Sequence, residues 1–483
     1  MKRWLESYPI HTFLILPYLA IFLYTKNAHV LSINMTFRPL LVSLVVSGII
    51  FLISYFLFAK KILKAGIWSS VVLFFLANYG FIYDFLEKFY YAGYWPFSSI
   101  HRYLLLLYII IFVVLYLFIR YSNYYFYNFT RWLNILLPTM IFFNLLFIIV
   151  NPYSKGDITK TTCQCKQTLT PKHTPDIYYF ILDGYANPKC LKKYYRHPMD
   201  SFFNALEDQG FYVAYDAFAN YFFTASSLPA TLNMNYLSAT SFRSISNNLV
   251  FCILKSMGYT IYTVNSGYTV SNSFVCSDVD LNKEIINEYE RSILKKTIFR
   301  LDDLIGLLPY FRIKQQLSFI RQFTFQSNSP KFLFAHIVCP HPPYVFDKQG
   351  LLNPTNSFAD KTWEPKEAYV DQLIYISKEI YSIVQQIQAR YKDSTTKPVI
   401  VIQSDHGPFI AHSDKMATKY CRTHILNAFY VSCKDSLYPN ISLVNTFRYI
   451  FKYELGLPIK LLSDSIAGIS ELEGNPNFIN LTN

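Results

Sequence analysis

No cysteine occurs before Cys163; all eight, Cys163, Cys165, Cys190, Cys252, Cys276, Cys339, Cys421 and Cys433, lie in the later part of the 483-residue chain. Cys163 and Cys165 stand too close together for the CxxC spacing of zinc and redox motifs. If the later part is extracytoplasmic, one or more disulfides are expected there; otherwise the cysteines pack as small buried hydrophobes. The chain also lacks a Lys/Arg cluster interleaved with aromatics and any zinc-finger spacing, so its formal charge of +13 does not argue for nucleic acid. In an apolar chain a basic balance fits orienting charges at a membrane. No small-residue cleavage site follows the first apolar run, which argues against a signal peptide. Charged residues make up only 16% of the sequence against 52% hydrophobic ones, and the apolar excess is concentrated before residue 151. A chain of this length is expected to form at least two structural units.

Apolar runs lie near Ile10–Tyr24, Leu40–Phe58, Ile67–Tyr83, Tyr103–Ile119 and Leu133–Val150. Each approaches the ~20 residues that cross a bilayer, so the sequence predicts a transmembrane bundle of about five spans over residues 1–150. With the N-terminus inside, Lys60, Lys61, Lys64, Arg120 and Arg131 fall on the inner side, against Lys26, Arg38, Lys88 and Arg102 outside. The Lys/Arg bias sets this orientation, and an odd number of spans then places everything after Val150 outside the cytoplasm. Tyr and Trp crowd the ends of these runs, as in Phe89–Pro96, in keeping with aromatic belts at the headgroup level. A polar stretch, residues 151–175, reads as a linker, residues 176–462 as a second domain and residues 463–483 as a polar tail.

From Pro175 the pattern changes. Asp176–Leu182, Lys331–Ile337 and Pro398–Gln403 are near-continuous apolar runs, as in strands covered on both faces. Helical candidates at Ser201–Gln209, Ala230–Leu237, Tyr369–Tyr391 and Val444–Leu455 alternate with them. The expected fold is an α/β domain with a mostly parallel central sheet flanked by helices.

In such sheets chemistry gathers beyond the carboxyl ends of the strands. There the sequence places Asp183-Gly184, the segment His336-Ile337-Val338-Cys339-Pro340-His341-Pro342, and Ser404-Asp405-His406-Gly407. Carboxylate and imidazole at converging strand ends can bind a divalent metal, and the glycines allow close backbone approach. Thr224-Ala225-Ser226-Ser227-Leu228-Pro229 reads as a helix start, where a hydroxyl lies beside unpaired N–H groups that hold anions. Singly, each residue has a structural role open to it, as turn cap, N-cap or rigid turn. In this order, mostly after strands, they point to a metal-dependent site.

The same order of motifs resembles the alkaline phosphatase/sulfatase superfamily over roughly residues 175–462. Transmembrane helices followed by such a domain resemble phosphoethanolamine transferases and lipoteichoic acid synthases, and the turn at Thr224 is similar to the nucleophile turn of the former. The segments Leu426–Tyr430, Tyr438-Pro439 and Val444–Arg448 look like a sulfatase-like branch associated with bacterial surface polysaccharide.

The resemblance implies an alkaline phosphatase-like fold, a bacterial inner (cytoplasmic) membrane location with the catalytic domain periplasmic, and a divalent cation, zinc or manganese. It makes Asp183, Thr224, Asp405 and His406 the metal ligands and Thr224 the nucleophile as well. His341, with His336, Arg422 and Ser227, would contact substrate, His341 also serving the leaving group. His412 is a candidate ligand for a second cation or the substrate.

The implied reaction moves phosphoethanolamine or phosphoglycerol from a membrane phospholipid donor to an extracytoplasmic glycan or lipid acceptor through phospho-Thr224. No nucleic acid takes part, and a monomer is expected. Two alternatives stand beside it. One is a sulfatase or phosphodiesterase, against which Thr231 replaces the Arg of the C/S-x-P-x-R maturation motif begun by Ser227. The other is an inert surface-polysaccharide assembly protein, suggested by Pro408 where many relatives carry Glu.

Overall fold

The structure, a computed structural model, describes residues 2–27, 33–91, 100–150, 169–237, 245–268, 271, 274–281, 286–298, 302–322, 329–353, 363, 365–410 and 415–467. Cys163, Cys165, most of the expected linker and most of the polar tail lie outside the described residues. The chain divides into two compact units, one of Met1–Thr159 with Ile286–Asp302, the other of Lys160–Ile285 with Asp303–Asn483.

The first unit contains α1 (Lys2–Ser7), α2 (Ile15–Asn27), α3 (Phe37–Leu57), α4 (Ile62–Tyr91), α5 (Ile100–Tyr121) and α6 (Tyr127–Val150). Among the described residues four helices, not the expected five, are long and apolar enough to cross a membrane: Ile33–Leu57, Ile62–Leu86, Ile100–Tyr121 and Tyr127–Val150. The first apolar run falls short because Pro9 and a 3-10 turn at Ile10–Phe13 interrupt it, leaving 13 residues for α2. At about 1.5 Å per residue that helix covers only ~20 Å of the ~30 Å hydrocarbon layer.

The backbone groups freed by the break are taken up by neighbouring helices. Asn134 Nδ2 donates to the carbonyls of Leu5 and Tyr8, the Asn134 side-chain oxygen accepts from His11 N–H, and Thr12 Oγ1 donates to the Gly66 carbonyl. Internal satisfaction of this kind is what an apolar surrounding demands. An odd number of crossings therefore no longer supports the predicted orientation. The charge bias survives on the four helices alone, because Lys60, Lys61, Arg120 and Arg131 all fall at the end of the bundle opposite Val150.

In the second unit, β1 (Ile177–Leu182) is followed by α7 (Pro188–Cys190), α8 (Asp200–Asp208), β2 (Tyr212–Val213), α9 (Thr224–Leu232), α10 (Leu249–Ser256), β3 (Thr260–Val264) and β4 (Val279–Leu281). After α11 (Glu288–Lys296), which belongs to the first unit, come α12 (Asp302–Gln322), β5 (Lys331–Ile337), α13 (Lys366–Arg390), β6 (Val399–Gln403), α14 (Lys415–Thr423), β7 (Asn427–Tyr430) and α15 (Thr446–Tyr449). The sheet order is β2-β7-β6-β1-β5-β3-β4. All pairs are parallel except those of β7, which runs against β6 and β2.

The lack of alternation along β1 has a direct cause. Ile177, Tyr179 and Ile181 enter a core with Phe332, Phe334, Val401 and Phe447, while Tyr178, Phe180 and Leu182 enter a second core with Leu333, Ile337, Ile402 and residues of α13. Both faces are covered, so both must be apolar. Each fully buried side chain of this size contributes about 1.5–3 kcal/mol. The helix expected over Ala230–Leu237, with Thr224–Pro229 as a helix start, is α9, which runs only to Leu232 and carries Pro229 inside it. The disulfide Cys190–Cys421 ties α7 to α14, Cys252 and Cys276 are also oxidised, and Cys339 and Cys433 are free thiols.

The sequence reading gives Ile286–Asp302 to the catalytic domain; in the structure it packs into the helical unit. Asn287 and Glu290 form a reciprocal cap at the start of α11. The Tyr289 hydroxyl donates to the Ala20 carbonyl, and its ring meets Tyr24 at 6.4 Å between centroids. Arg38 pairs with Glu290 and Lys296 with Asp84.

Candidate active site

The central strands β6, β1 and β5 lie side by side and parallel, so their carboxyl ends converge. Asp183 follows β1 directly, and its N–H donates to the Ile337 carbonyl at the end of β5. Its carbonyl accepts from His341 N–H at 3.0 Å, which anchors the proline-rich loop after β5 to the same point. Asp405 and His406 leave β6 two and three residues after Gln403. Thr224 opens α9, whose start has no side-chain cap. The first N–H groups of that helix are therefore available to an anion.

These pieces meet in a small buried volume. Thr224 Oγ1 lies 3.1 Å from His406 Nε2, and the same Nε2 lies 3.5 Å from Asp183 Oδ1 and 3.6 Å from Asp405 Oδ2. Ligand atoms of Asp183, Asp405 and His406 fall within 4.8 Å of one another. The tautomer of His406 is fixed by its surroundings. Nδ1 lies 3.1 Å from the Gly407 carbonyl, which can only accept, so Nδ1 carries the hydrogen and Nε2 the lone pair. Gly407 leaves no room for a side chain, since a Cβ there would lie 1.9 Å from the Cys421 carbonyl oxygen.

Both carboxylate oxygens of Asp405, together with Asp183 Oδ1, are buried with no hydrogen-bond partner. Orphaned buried carboxylates are costly unless a cation completes them. Three oxygen-bearing side chains and one imidazole nitrogen make a donor set that suits zinc or manganese. The residues fit a divalent cation.

The electrostatics agree with that fit. Burial, followed by the Asp183 carboxylate, pushes the Asp405 carboxyl up to about 7. Burial alone would raise Asp183 too, but His341, His336 and His406 outweigh it and hold Asp183 below the usual range. Burial, then Arg422, lowers His406 well below its ordinary value, and burial lowers His341. With a folded pKa raised above its unfolded value, Asp405 favours the metal-free fold when protonated, and that contribution is lost as pH rises through about 7. A cation competes with the same proton. The gap in Tm between zinc-loaded and chelated protein is therefore expected to widen from pH 6 to pH 8 in scanning calorimetry. A gap that narrows over that range would contradict the fit.

The other residues singled out in the sequence fall in different places. His341 lies beside the cluster, its ring 6.1 Å from that of His406, and Nδ1 donates to the Pro342 carbonyl, leaving Nε2 with the lone pair. Ser227 is taken up structurally, donating to the Asp405 carbonyl at 2.6 Å. Arg422 donates to the carbonyls of Phe222 and Gly407, so it joins the residues flanking Thr224 and His406, and one Nη lies 3.3 Å from His406 Nε2. His336 is wholly buried behind Asp183. His412 lies outside the described residues.

Trp363 was missed. Its ring meets His341 at 4.8 Å and covers the Arg422 guanidinium at 5.5 Å, with Phe223 also 5.5 Å from that guanidinium. No motif surrounds it, yet a signal existed: of the five tryptophans, only Trp363 lies beyond Trp132.

No family model matches the chain, and no curated protein matches it. Among solved structures, the chain is similar to the C-terminal periplasmic domain of EcEptC from Escherichia coli in complex with zinc. Identity is 13% over 63% of this chain and 90% of that one, with a TM-score of 0.41. It is similar at 14% identity to the periplasmic domain of phosphoethanolamine transferase EptC from Campylobacter jejuni, over 62% of this chain and 95% of that one, TM-score 0.39. It also matches an alkaline phosphatase superfamily protein from Vibrio parahaemolyticus at 12% identity, over 60% and 70% of the two chains, TM-score 0.36. At such identities and scores, what this site does has to be argued from its own atoms.

Proposed function

We propose that the chain is a membrane-anchored, metal-dependent phosphotransferase that moves a phospholipid headgroup, phosphoethanolamine or phosphoglycerol, onto an extracytoplasmic glycan or lipid through phospho-Thr224. One observation carries the reading: a threonine hydroxyl at an uncapped helix start, 3.1 Å from the lone-pair nitrogen of His406 and beside buried carboxylates that lack partners. A threonine hydroxyl is a poor nucleophile unless activated. A divalent cation held by Asp183, Asp405, His406 and Thr224 supplies that activation and screens the charge of the phosphodiester.

The chain's own groups then account for the bonds. Thr224, its proton released to water, attacks phosphorus; the Oγ1–P bond forms as the bond to the diacylglycerol oxygen breaks. The proton released by Thr224 is taken up through water by the Nε2 lone pair of His341, whose Nδ1–H stays held by the Pro342 carbonyl, and is passed to that oxygen. In the second half an acceptor hydroxyl gives its proton to His341 Nε2, bonds to phosphorus and displaces Thr224, whose oxygen takes that proton back. The first N–H groups of α9 face the anionic oxygens throughout. The four apolar helices suit a donor drawn from the bilayer, and with the basic loops inside they leave the chain after Val150 outside the cytoplasm. The commitment of Ser227 to the Asp405 carbonyl favours Thr224 as the nucleophile over a matured Ser227.

The test is to incubate the detergent-solubilised protein with phosphatidylethanolamine or phosphatidylglycerol and zinc, quench in acid, and map the adduct by mass spectrometry. A phosphoethanolamine or phosphoglycerol adduct on Thr224, with diacylglycerol released, is expected and names the donor. Intact donor with no adduct, or a formylglycine at Ser227, would overturn the proposal.

A further inference from the structure

We propose that Ser271 and His336 form a positioning relay that holds the Asp183 carboxylate in the orientation a cation needs; the proposal rests on reading Asp183 as a ligand. His336 is the penultimate residue of β5, level with Ile181 on β1 in the sheet register. It has no exposure to solvent, and its carbonyl accepts from Gln316 Nε2, which also donates to the Asn265 carbonyl. The ring is thus fixed at its backbone from α12 and from the loop after β3.

The ring is also fixed at its tip. His336 Nδ1 lies 2.7 Å from Ser271 Oγ, and Ser271 Oγ lies 2.7 Å from Ser266 Oγ, which accepts from Tyr268 N–H at 2.9 Å. Both hydroxyls also lie 3.4 Å from the Tyr268 carbonyl, so their hydrogens can turn to that carbonyl or run on toward the ring; the relay is the second arrangement, in which Ser271 donates to His336 Nδ1. That arrangement leaves the hydrogen of the ring on Nε2, which faces Asp183 Oδ2 at 3.4 Å, in ion-pair range but short of an aligned hydrogen bond in the metal-free protein. The other oxygen, Asp183 Oδ1, faces His406 Nε2 at 3.5 Å. One oxygen of the carboxylate is turned toward the ligand cluster and the other toward an imidazole N–H. Partners of this kind orient ligands, and their removal typically lowers metal affinity 10–100-fold. His336 does not touch the reacting atoms in this account; it is a positioning residue, and Ser271 sets which of its nitrogens carries the hydrogen.

Zinc affinity of the full-length detergent-solubilised protein, measured by competition with a chromophoric chelator, tests the relay without recourse to activity. His336→Leu is expected to bind zinc 10–100-fold more weakly at unchanged stoichiometry. His336→Gln, which keeps a donor near the position of Nε2, is expected to recover most of the loss. Ser271→Ala leaves His336 in place and is expected to weaken binding severalfold; if His336→Leu fails to fold, as judged by circular dichroism, Ser271→Ala decides.

Wild-type affinity in Ser271→Ala and His336→Leu would overturn the relay, and so would loss of a second zinc equivalent with the first unaffected, which would make His336 a ligand of a separate ion. Asp183→Asn separates the two levels. If it binds zinc like the wild type, the ligand assignment itself fails; if it loses zinc while the His336 and Ser271 variants do not, only the relay fails.

Discussion

Replacing Thr224 by alanine is expected to lower donor turnover by a factor on the order of 10³ or more, the scale seen when a covalent nucleophile is removed, while zinc remains bound and the fold intact. In the metal-free protein the hydroxyl lies 3.1 Å from His406 Nε2, a nitrogen that Arg422 also approaches at 3.3 Å, and it acts on the Asp405 carboxyl as well. Its loss therefore costs stability only about 0.5–1.5 kcal/mol. Asp183, Asp405 and His406 still supply three ligand atoms to the cation. Thr224→Ser keeps a hydroxyl at the same helix start and should retain turnover within roughly tenfold, its extra rotameric freedom being the main loss. Diacylglycerol release followed by lipid mass spectrometry, with thermal unfolding run in parallel, separates these expectations. An alanine protein that still releases diacylglycerol at the wild-type rate would remove Thr224 from the chemistry.

Asp405→Asn should damage function and improve the metal-free fold together. Both Asp405 oxygens are buried without partners, and burial with Asp183 nearby raises its carboxyl to about 7. Above that pH the chelated wild type carries an uncompensated buried charge. An amide of the same shape removes the charge and places a neutral donor group within about 4.8 Å of the Asp183 carboxylate, whose Oδ1 is unpartnered. We expect Asp405→Asn in chelator at pH 8 to be about 1–3 kcal/mol more stable than chelated wild type, and its turnover with zinc to fall by a factor on the order of 10³, since a neutral amide is a weak ligand for a hard cation. Calorimetry in chelator and the diacylglycerol assay read the two effects separately. If the variant is less stable than chelated wild type, the unpaired carboxylate is not the strain it is taken to be.

The parts of this architecture readable from sequence were those whose physics is local. β1, β5 and β6 are central, apolar on both faces, and show as unbroken runs such as Ile177–Leu182. The short strands β2, β3, β4 and β7 lie toward the sheet margins and had no such signature. Thr224–Pro229 reads as a helix start and does open α9, but the candidate over Ala230–Leu237 overshoots, because α9 ends at Leu232. Near the C-terminus, the single helix expected over Val444–Leu455 is instead a 3-10 turn, the short α15 and a π turn.

At the site, Asp183, Asp405, His406 and Thr224 were legible because strand ends and a helix start fix where such side chains gather. Ser271 and Trp363 were not, because each reaches the site through contacts distant in sequence: Ser271 meets a histidine 65 residues away, and Trp363 covers an arginine on α14. The first apolar run was counted as a span because composition alone does not reveal that Pro9 and the turn after it divide the helix.

The place of α11 has a practical consequence for anyone who wants the α/β unit alone. Truncation at the natural boundary, beginning the chain at Lys160, would remove the helices that cover Tyr289 and Ile293 and that pair with Glu290 and Lys296. The fragment would then display a sticky helix with nothing to cover it, inviting self-association that says nothing about the full-length protein. Excising Ile286–Asp302 and joining the flanks with a Gly/Ser linker is the cut that the fold itself suggests.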